Sequence, residues 1–507
     1  MRRKQGVILS YVLMIFEVLS TLLLTPFLIR TLGQAEYGVY KLSVSITAYL
    51  MLLDLGVGNA IIRYIAKFRA NEDSESENNF FGIATLFYFG IAVISVLCGM
   101  VLVLLFPKLF STGLTQEEIL LGQKLLILTV ANVAVTLLTT VSTNAIIAYE
   151  RFAISKGLPI IQIILRMILT IVVLKSNLGS IGIVFVNLVL TIICRGFFTA
   201  YVFFALKIRP KLKNIRIEFV KDIFAYSSWI LLQMIATQIN ASMDQILLGT
   251  LVSSSATIIA VYSVGIQIVQ YFQSIGHSFT GVLMPGVVKL VEKDCSPKTI
   301  CDEMVRIGRI ILLSLGLIWS GFVALGRQFV EMWAGEVNGD SYFIALILMS
   351  AYLIILTESV GTQVLWAKNE HKEQAILKIA IVLLNIILTV LLIKWNPLIG
   401  ATIGTFISLI LGDVIVMNIV FAKKLKISLA QYYSKLFSGL LICILLTAGF
   451  GFVINLIPIY GWGGLVLKIV SVCLVYIALL ILFGMNKYEK NLFASLFRIK
   501  KCRNEID

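Results

Sequence analysis

The dominant feature of the sequence is a series of apolar stretches, each about twenty residues long, that recur along the whole chain between short polar connections. A helix of about 20 apolar residues crosses the ~30 Å hydrocarbon core of a bilayer. Such a helix satisfies its own backbone hydrogen bonds, which lipid cannot do. With 59% of its 507 residues apolar and 14% charged, the chain is unlike a soluble domain. The sequence therefore predicts an all-α integral membrane protein.

Turn residues and charges between the apolar stretches divide the chain into fourteen predicted transmembrane helices. The first stretch is interpreted as a retained helix, because it is too long for a signal peptide and lacks a small-residue cleavage site. The predicted spans are 7–29, 39–62, 80–106, 120–148, 158–174, 181–205, 223–250, 257–286, 308–332, 341–366, 376–394, 400–421, 436–457 and 464–484.

The distribution of basic residues supports an even number of spans with both termini in the cytoplasm. When residues near the end of a span are counted with the adjoining loop, 32 of the 42 Lys and Arg residues fall on the side that this topology places inside, 7 fall outside and 3 lie deeper within spans. Loops that face the cytoplasm are enriched in Lys and Arg, and an error in the number of spans would mix the two groups. The strong asymmetry therefore favours the fourteen-span topology.

Cysteine labelling tests this topology. A cysteine introduced between residues 110 and 116, in a variant without the seven native cysteines, should react with an impermeant reagent added from outside the cell. A cysteine at 295–301 should react only after the membrane is opened, because that loop is predicted to be cytoplasmic. Labelling of either segment from the opposite side would contradict the fourteen-span topology.

Two segments of the sequence are similar at a separation of 219 residues: 169–177 (LTIVVLKSN) and 388–396 (LTVLLIKWN). The similarity predicts that helices 1–6 are repeated as helices 7–12 in the same orientation, an arrangement found in alternating-access transporters. The predicted organisation is an N-terminal lobe at 1–222 and a C-terminal lobe at 223–421. Helices 13 and 14 follow, with a cytoplasmic tail, at 422–507.

Three segments near the N-terminus carry a resemblance to a known family: 26–33 (PFLIRTLG), 36–40 (EYGVY) and 54–60 (DLGVGNA). Together with the predicted spans and the six-plus-six repeat, they resemble the signature of the Wzx-type polysaccharide flippases. That family belongs to the MOP superfamily, which also holds the MATE drug exporters and the lipid II flippase. The resemblance implies a MATE-like fold and a transporter, not an enzyme, without a cofactor.

The resemblance also implies a substrate and a place in the cell. It implies that undecaprenyl-pyrophosphate-linked oligosaccharide is moved from the inner to the outer leaflet of the bacterial cytoplasmic membrane by alternating access. The glycan would serve the assembly of O-antigen, capsule or exopolysaccharide. The expected partners are this lipid-linked oligosaccharide, membrane lipids, a coupling cation (proton or sodium) and a polysaccharide polymerase. Nucleic acid is not expected, because the basic residues form no single patch.

Basic residues inside predicted spans are candidates for binding the pyrophosphate. Lys41, Arg166 and Arg195 lie within helices of the first lobe. A Lys or Arg at the centre of a membrane helix costs about 2.5–3.5 kcal/mol on insertion scales, so its retention indicates a cavity or a partner. Gln162 shares a helix face with Arg166, and Arg30 of the signature completes the predicted site. In the alternative interpretation, Lys41 and Arg195 reach the membrane surfaces.

Acidic residues inside predicted spans are candidates for binding the coupling cation. They are Glu17 in the first lobe and Asp244, Glu358 and Asp413 in the second. A carboxylate in a membrane helix faces water, a cation or a hydrogen-bond donor. The alternative role for polar residues of helices 7 and 8 is hydrogen bonding between helices. The cysteines include no CxxC pair that could hold zinc, so no metal site is predicted.

Two rival functions make different demands on the sequence. A MATE-like cation-coupled exporter of small cationic molecules would favour acidic groups in the first-lobe cavity, whereas Arg166 and Arg195 make it basic. A polytopic polysaccharide polymerase or glycosyltransferase usually displays a large outer loop with catalytic residues. The longest predicted outer connection, about 107–120, contains no His and no acidic pair except Glu117 and Glu118. The sequence therefore favours a flippase over both.

Overall fold

The computed structural model describes residues 2–212, 217–292, 296–368 and 371–491. Within these ranges the chain forms helices joined by short turns, and it contains no strand. This is the architecture required of a chain whose apolar stretches are surrounded by lipid, because a helix leaves no backbone group unpaired along its middle. The predicted all-α membrane fold is confirmed.

The described part of the chain contains eighteen α-helices. They are α1 (Arg2–Ala48), α2 (Val57–Ala70), α3 (Ser74–Leu109), α4 (Gln116–Leu138), α5 (Thr140–Ala148), α6 (Phe152–Lys175), α7 (Gly179–Phe204), α8 (Ile217–Leu251), α9 (Ser255–Glu292), α10 (Pro297–Ala334), α11 (Ser341–Thr357), α12 (Ser359–Ala367), α13 (His371–Ile393), α14 (Pro397–Leu409), α15 (Met417–Lys424), α16 (Leu429–Phe437), α17 (Leu440–Asn455) and α18 (Gly461–Leu479). A π-helical turn, Ile410–Val416, joins α14 to α15.

The predicted number of fourteen spans is not confirmed. In the described ranges, 11 helical stretches are long and apolar enough to cross a membrane, and the bent pair α16 and α17 makes up to 12. Part of the difference lies in α1, whose 47 residues would extend ~70 Å as one straight helix. Its backbone leaves the helical region at Gly33 (φ 78°, ψ 169°), so α1 holds the first predicted span and part of the second. The predicted span 223–250 lies on α8, where side chains before residue 234 are outside the described part.

The signature at 36–40 ties α1 to other helices. The carboxylate of Glu36 accepts a hydrogen bond of 2.6 Å from the backbone N–H of Ser180, in the first turn of α7, where N–H groups lack helical partners. The Tyr37 side chain is fully buried. A Cβ atom on Gly38 would lie 1.8 Å from the carbonyl oxygen of Ala256 on α9. These signature residues therefore hold the helices in close packing.

The signature at 54–60 begins with the break that separates α2 from the preceding helical turn. A 3-10 turn ends at Asp54, and both Leu55 (φ 55°) and Gly56 (φ 69°) adopt the left-handed conformation before α2 begins. Glycine adopts this conformation without the steric cost that other residues bear. The Asp54 carboxylate accepts a hydrogen bond of 2.7 Å from the hydroxyl of Tyr88 on α3. The signature therefore forms a hydrogen-bonded break in the helix.

The chain divides into two compact units. The first consists of 1–263 and 389–401, and the second of 264–388 and 402–507. In the first unit, a large apolar core forms where α2, α3, α5 and α7 meet, with Ile61, Ile65, Phe81, Tyr88, Ala145, Ile146 and Val202 at its centre. In the second unit, Ala324 and Leu325 of α10 pack against α18. The predicted lobes 1–222 and 223–421 have different boundaries and stay a prediction.

A buried ion pair holds the last helices of the second unit to α10. Arg309 is 4% exposed, and its Nε and Nη2 atoms donate to the carboxylate of Glu489 at 2.5 and 3.0 Å. Nη1 donates to the carbonyl oxygens of Lys435 and Ser438, both at 2.9 Å, and Nη2 donates to that of Gly484 at 2.8 Å. One guanidinium therefore links α10 to α16, to the turn before α17 and to the chain after α18.

Candidate functional site

Arg166 lies near the middle of α6, a helix that packs against α1. Its side chain is half-buried, and its positive charge acts on the hydroxyl of Tyr40 on α1. Among the described residues, no side chain or carbonyl forms a hydrogen bond or ion pair with its guanidinium. A guanidinium carries five N–H donors, so this group is equipped to bind an anion within the membrane-spanning region.

Two further predicted residues lie on the same pair of helices. Lys41 follows Tyr40 in α1, and its ammonium group stands 5.4 Å from the centre of the Tyr37 ring, at a distance typical of a cation–π contact. Gln162 precedes Arg166 by one turn of α6 and is also half-buried. Arg166, Gln162 and Lys41 therefore lie on two helices that pack together.

The remaining two predicted substrate residues have other surroundings. Arg195 lies on α7, and its Nη1 atom donates a hydrogen bond of 2.7 Å to the hydroxyl of Thr143 on α5. Arg30 is exposed on α1, three residues before the break at Gly33. Their contact with the substrate stays a prediction.

Asp244 is buried in the first compact unit, with 4% of its surface exposed. One carboxylate oxygen accepts a hydrogen bond of 2.5 Å from the hydroxyl of Tyr262 on α9, and the other accepts one of 3.3 Å from Thr389 on α13. The sequence pattern assigned neither partner to a site, although Thr389 lies in the repeated segment 388–396. The structure therefore places this acidic side chain between two hydroxyl groups from distant parts of the sequence.

Glu358 lies at the junction of α11 and α12 and is 2% exposed. Its Oε1 atom accepts hydrogen bonds from Asn418 Nδ2, at 2.9 Å, and from the Tyr433 hydroxyl of α16. Sequence reasoning missed both partners. Asn418 could have been found as a polar residue within an apolar stretch, whereas Tyr433 belongs to a short amphipathic helix with no comparable signal.

The other two acidic candidates differ in their charge environment. Asp413 lies in the π-helical turn before α15, and its carboxylate pairs with the ammonium group of Lys378 on α13. Glu17 is exposed on α1. Over the described ranges, no three His, Cys, Asp or Glu side chains are grouped in a way that could hold a metal ion. Both residues stay predicted coupling sites.

Comparison with known proteins identifies the family. A family model described as "Polysaccharide biosynthesis protein" matches residues 4–291, which is more than half of the chain. The chain belongs to this family. It is also similar to "Uncharacterized membrane protein EpsK" of Bacillus subtilis (strain 168), with 20% identity over 507 residues and 96% of each chain covered.

Solved structures of transporters share the fold of this family member. The lipid II flippase MurJ in an inward closed conformation aligns with a TM-score of 0.68 and 16% identity, covering 94% of this chain and 97% of MurJ. An inward-facing multidrug resistance MATE transporter of the MOP superfamily aligns with a TM-score of 0.59 and 15% identity, covering 80% and 95%. The predicted MATE-like fold is confirmed. The protein is a multi-pass membrane protein of the polysaccharide biosynthesis family, and it has the fold of these transporters.

Proposed function

We propose that this protein moves undecaprenyl-pyrophosphate-linked oligosaccharide from the inner to the outer leaflet of the bacterial cytoplasmic membrane by alternating access. The observation that carries the proposal is Arg166, a half-buried guanidinium in a membrane helix whose donors are not used by the described residues. Membership of a polysaccharide biosynthesis family supports a glycan as cargo. Both termini lie in the cytoplasm in this proposal, and the exported glycan passes to a polysaccharide polymerase.

The chemistry of Arg166 suits a pyrophosphate better than a cationic drug. Its planar fork pairs with two phosphate oxygens at once and keeps its charge in a partly dehydrated cavity. Lys41 adds a second cation on the neighbouring helix. Gln162 supplies a neutral donor and acceptor for a sugar or phosphate, and Arg195 and Arg30 complete the proposed binding set. A cationic drug would be repelled by this group of charges.

Reconstitution separates the proposed function from drug export. The purified protein in proteoliposomes should move a fluorescent polyprenyl-pyrophosphate oligosaccharide to the other leaflet, and excess polyprenyl pyrophosphate should compete. A cationic dye should be neither transported nor inhibitory, because the site is basic. Transport of the dye without movement of the glycan lipid would contradict the proposal and favour the MATE-like alternative.

We further propose that a cation gradient drives export through Asp244 and Glu358, with Glu17 and Asp413 as additional candidates. Asp244→Asn and Glu358→Gln should each slow export at least about tenfold and remove its response to a collapsed gradient, because a neutral carboxamide takes up no proton and offers no negative charge to sodium. Export is measured by complementation of a flippase-deficient strain, with and without an ionophore. Glu117→Gln, at an exposed position, is the matched control. If both variants export normally and still respond to the ionophore, the coupling site lies elsewhere.

A further inference from the structure

Two buried oxygen atoms in the second compact unit are not used by the proposed glycan site. They are Oε2 of Glu358 and Oδ1 of Asn418, and no described residue donates a hydrogen bond to either. The two side chains are 2% and 6% exposed and are hydrogen-bonded to each other at 2.9 Å. Leaving a buried acceptor without a donor is unfavourable, because the atom has lost its hydrogen bonds to water. The pair therefore lacks a ligand that could serve both oxygens.

The orientation of the Asn418 amide is fixed by its neighbours. Its Nδ2 atom donates to the backbone carbonyl of Val414 at 2.7 Å and to Oε1 of Glu358 at 2.9 Å. A backbone carbonyl is an acceptor only, so exchanging the amide nitrogen and oxygen would bring two acceptors together. Oδ1 is therefore the atom of this side chain that remains open.

Among the described residues, no cation pairs with an ionised Glu358. The acidic group whose charge acts on it, Asp413, is already paired with the ammonium group of Lys378. On the other elements packed around it, the titratable side chains are neutral in their common forms: Cys301 of α10 and Tyr432 and Tyr433 of α16. Tyr432 donates its own hydrogen bond to the Thr357 carbonyl at 3.0 Å. Because an unpaired charge is costly in a buried site, the missing ligand must carry a positive charge.

A proton supplies the positive charge and needs fewer oxygen ligands than a metal cation. Calcium takes about 6–8 oxygen ligands, whereas this site offers two open oxygens. A proton on Oε2 turns that atom into an O–H donor, and Oδ1 of Asn418 is the acceptor that such a donor needs. The same proton neutralises the carboxylate. One proton shared between the two open atoms would satisfy both of them and remove the uncompensated charge.

We propose that Glu358 and Asn418 form a proton-binding site in which the protonated Oε2 of Glu358 donates a hydrogen bond to Oδ1 of Asn418. The inference rests on the proposed coupling role of Glu358 and assigns a proton as the cation. A proton from water adds to the carboxylate to give the neutral acid, and its release to water restores the carboxylate. Tyr433 donates to Oε1 in both states, so α16 contacts the group whose charge changes.

Infrared spectroscopy tests this site without substrate or transport. The purified full-length protein in lipid nanodiscs, without glycan lipid, is titrated from about pH 5 to about pH 9. We expect the C=O stretching band of a protonated carboxylic acid, which Glu358→Gln abolishes and Glu117→Gln leaves unchanged. Asn418→Leu should move the band to higher wavenumber, because the acid loses its amide partner. Circular dichroism of the helices checks that each variant is folded. If Glu358→Gln does not fold, the shift of the acid band in Asn418→Leu is the result that tests the site.

Three results would overturn the inference. The first is a carboxylic acid band that Asn418→Leu does not shift, and the second is the absence of any band that depends on Glu358. The third is heat of sodium binding, in calorimetry with NaCl, that Glu358→Gln removes, which would assign sodium to the site. Since neither measurement uses the glycan lipid, failure here is distinct from failure of the proposed flippase function, which the proteoliposome assay detects.

Discussion

Export of the lipid-linked glycan should fall to the level of a flippase-deficient strain when Arg166 is replaced by Ala. The variant loses the guanidinium that the proposal assigns to the pyrophosphate, and loss of one partner of a buried charge pair costs about 2–5 kcal/mol. That is a loss of at least about thirtyfold in affinity. Insertion should not suffer, since removing a charge from a membrane helix lowers its insertion cost. Complementation, with membrane abundance measured alongside, gives the result.

Two companion variants make the Arg166 result specific. Arg166→Lys should restore export in part, because an ammonium group keeps the charge but lacks the planar fork. Lys175→Ala removes an exposed positive charge from the end of the same helix and should leave export unchanged. Full export by Arg166→Ala at normal abundance would mean that the pyrophosphate is held elsewhere, and Lys41 and Arg30 would then be the next residues to replace.

The largest loss of stability should come from Arg309→Ala. This change leaves the carboxylate of Glu489 buried without its partner and removes the donors to the Ser438 and Gly484 carbonyls. Breaking a buried pair from one side costs about 3–5 kcal/mol. The thermal unfolding midpoint of the purified protein, followed by tryptophan fluorescence in nanodiscs, should fall clearly below that of the wild type.

The control for this prediction lies one turn away on the same helix. Arg306 pairs with Glu303 at 3.2 Å and lies over the ring of Tyr488, but its side chain is 47% exposed, so Arg306→Ala should cost only about 1 kcal/mol. The double variant Arg309→Met with Glu489→Leu should recover part of the loss, since two apolar side chains leave no unpaired charge. Equal midpoints for Arg309→Ala and Arg306→Ala would show that the buried pair does not hold the last helices in place.

Helix content and membrane class follow from the sequence because they depend on local properties. A run of about twenty apolar residues must form a helix in lipid, whatever its neighbours. The number of spans is harder to predict, because the connection expected between the first two spans is reduced to a kink at Gly33, with helix on both sides of it. Helix boundaries depend on how the ends pack, which a hydropathy pattern does not contain.

The sequence alone also identified the charges that are costly in a membrane, among them Arg166, Asp244 and Glu358, since burial of a charge is unfavourable in any fold.

Which group pairs with each of these charges depends on the tertiary structure. Arg195 donates a hydrogen bond to Thr143, 52 residues away, and Glu358 accepts one from Asn418, 60 residues away. Spacing rules along a helix reach only three or four residues. Partners on different helices are brought together by packing. Only the folded chain therefore distinguishes Asp413, whose carboxylate pairs with Lys378, from Glu358, which has one oxygen without a hydrogen bond from a described residue.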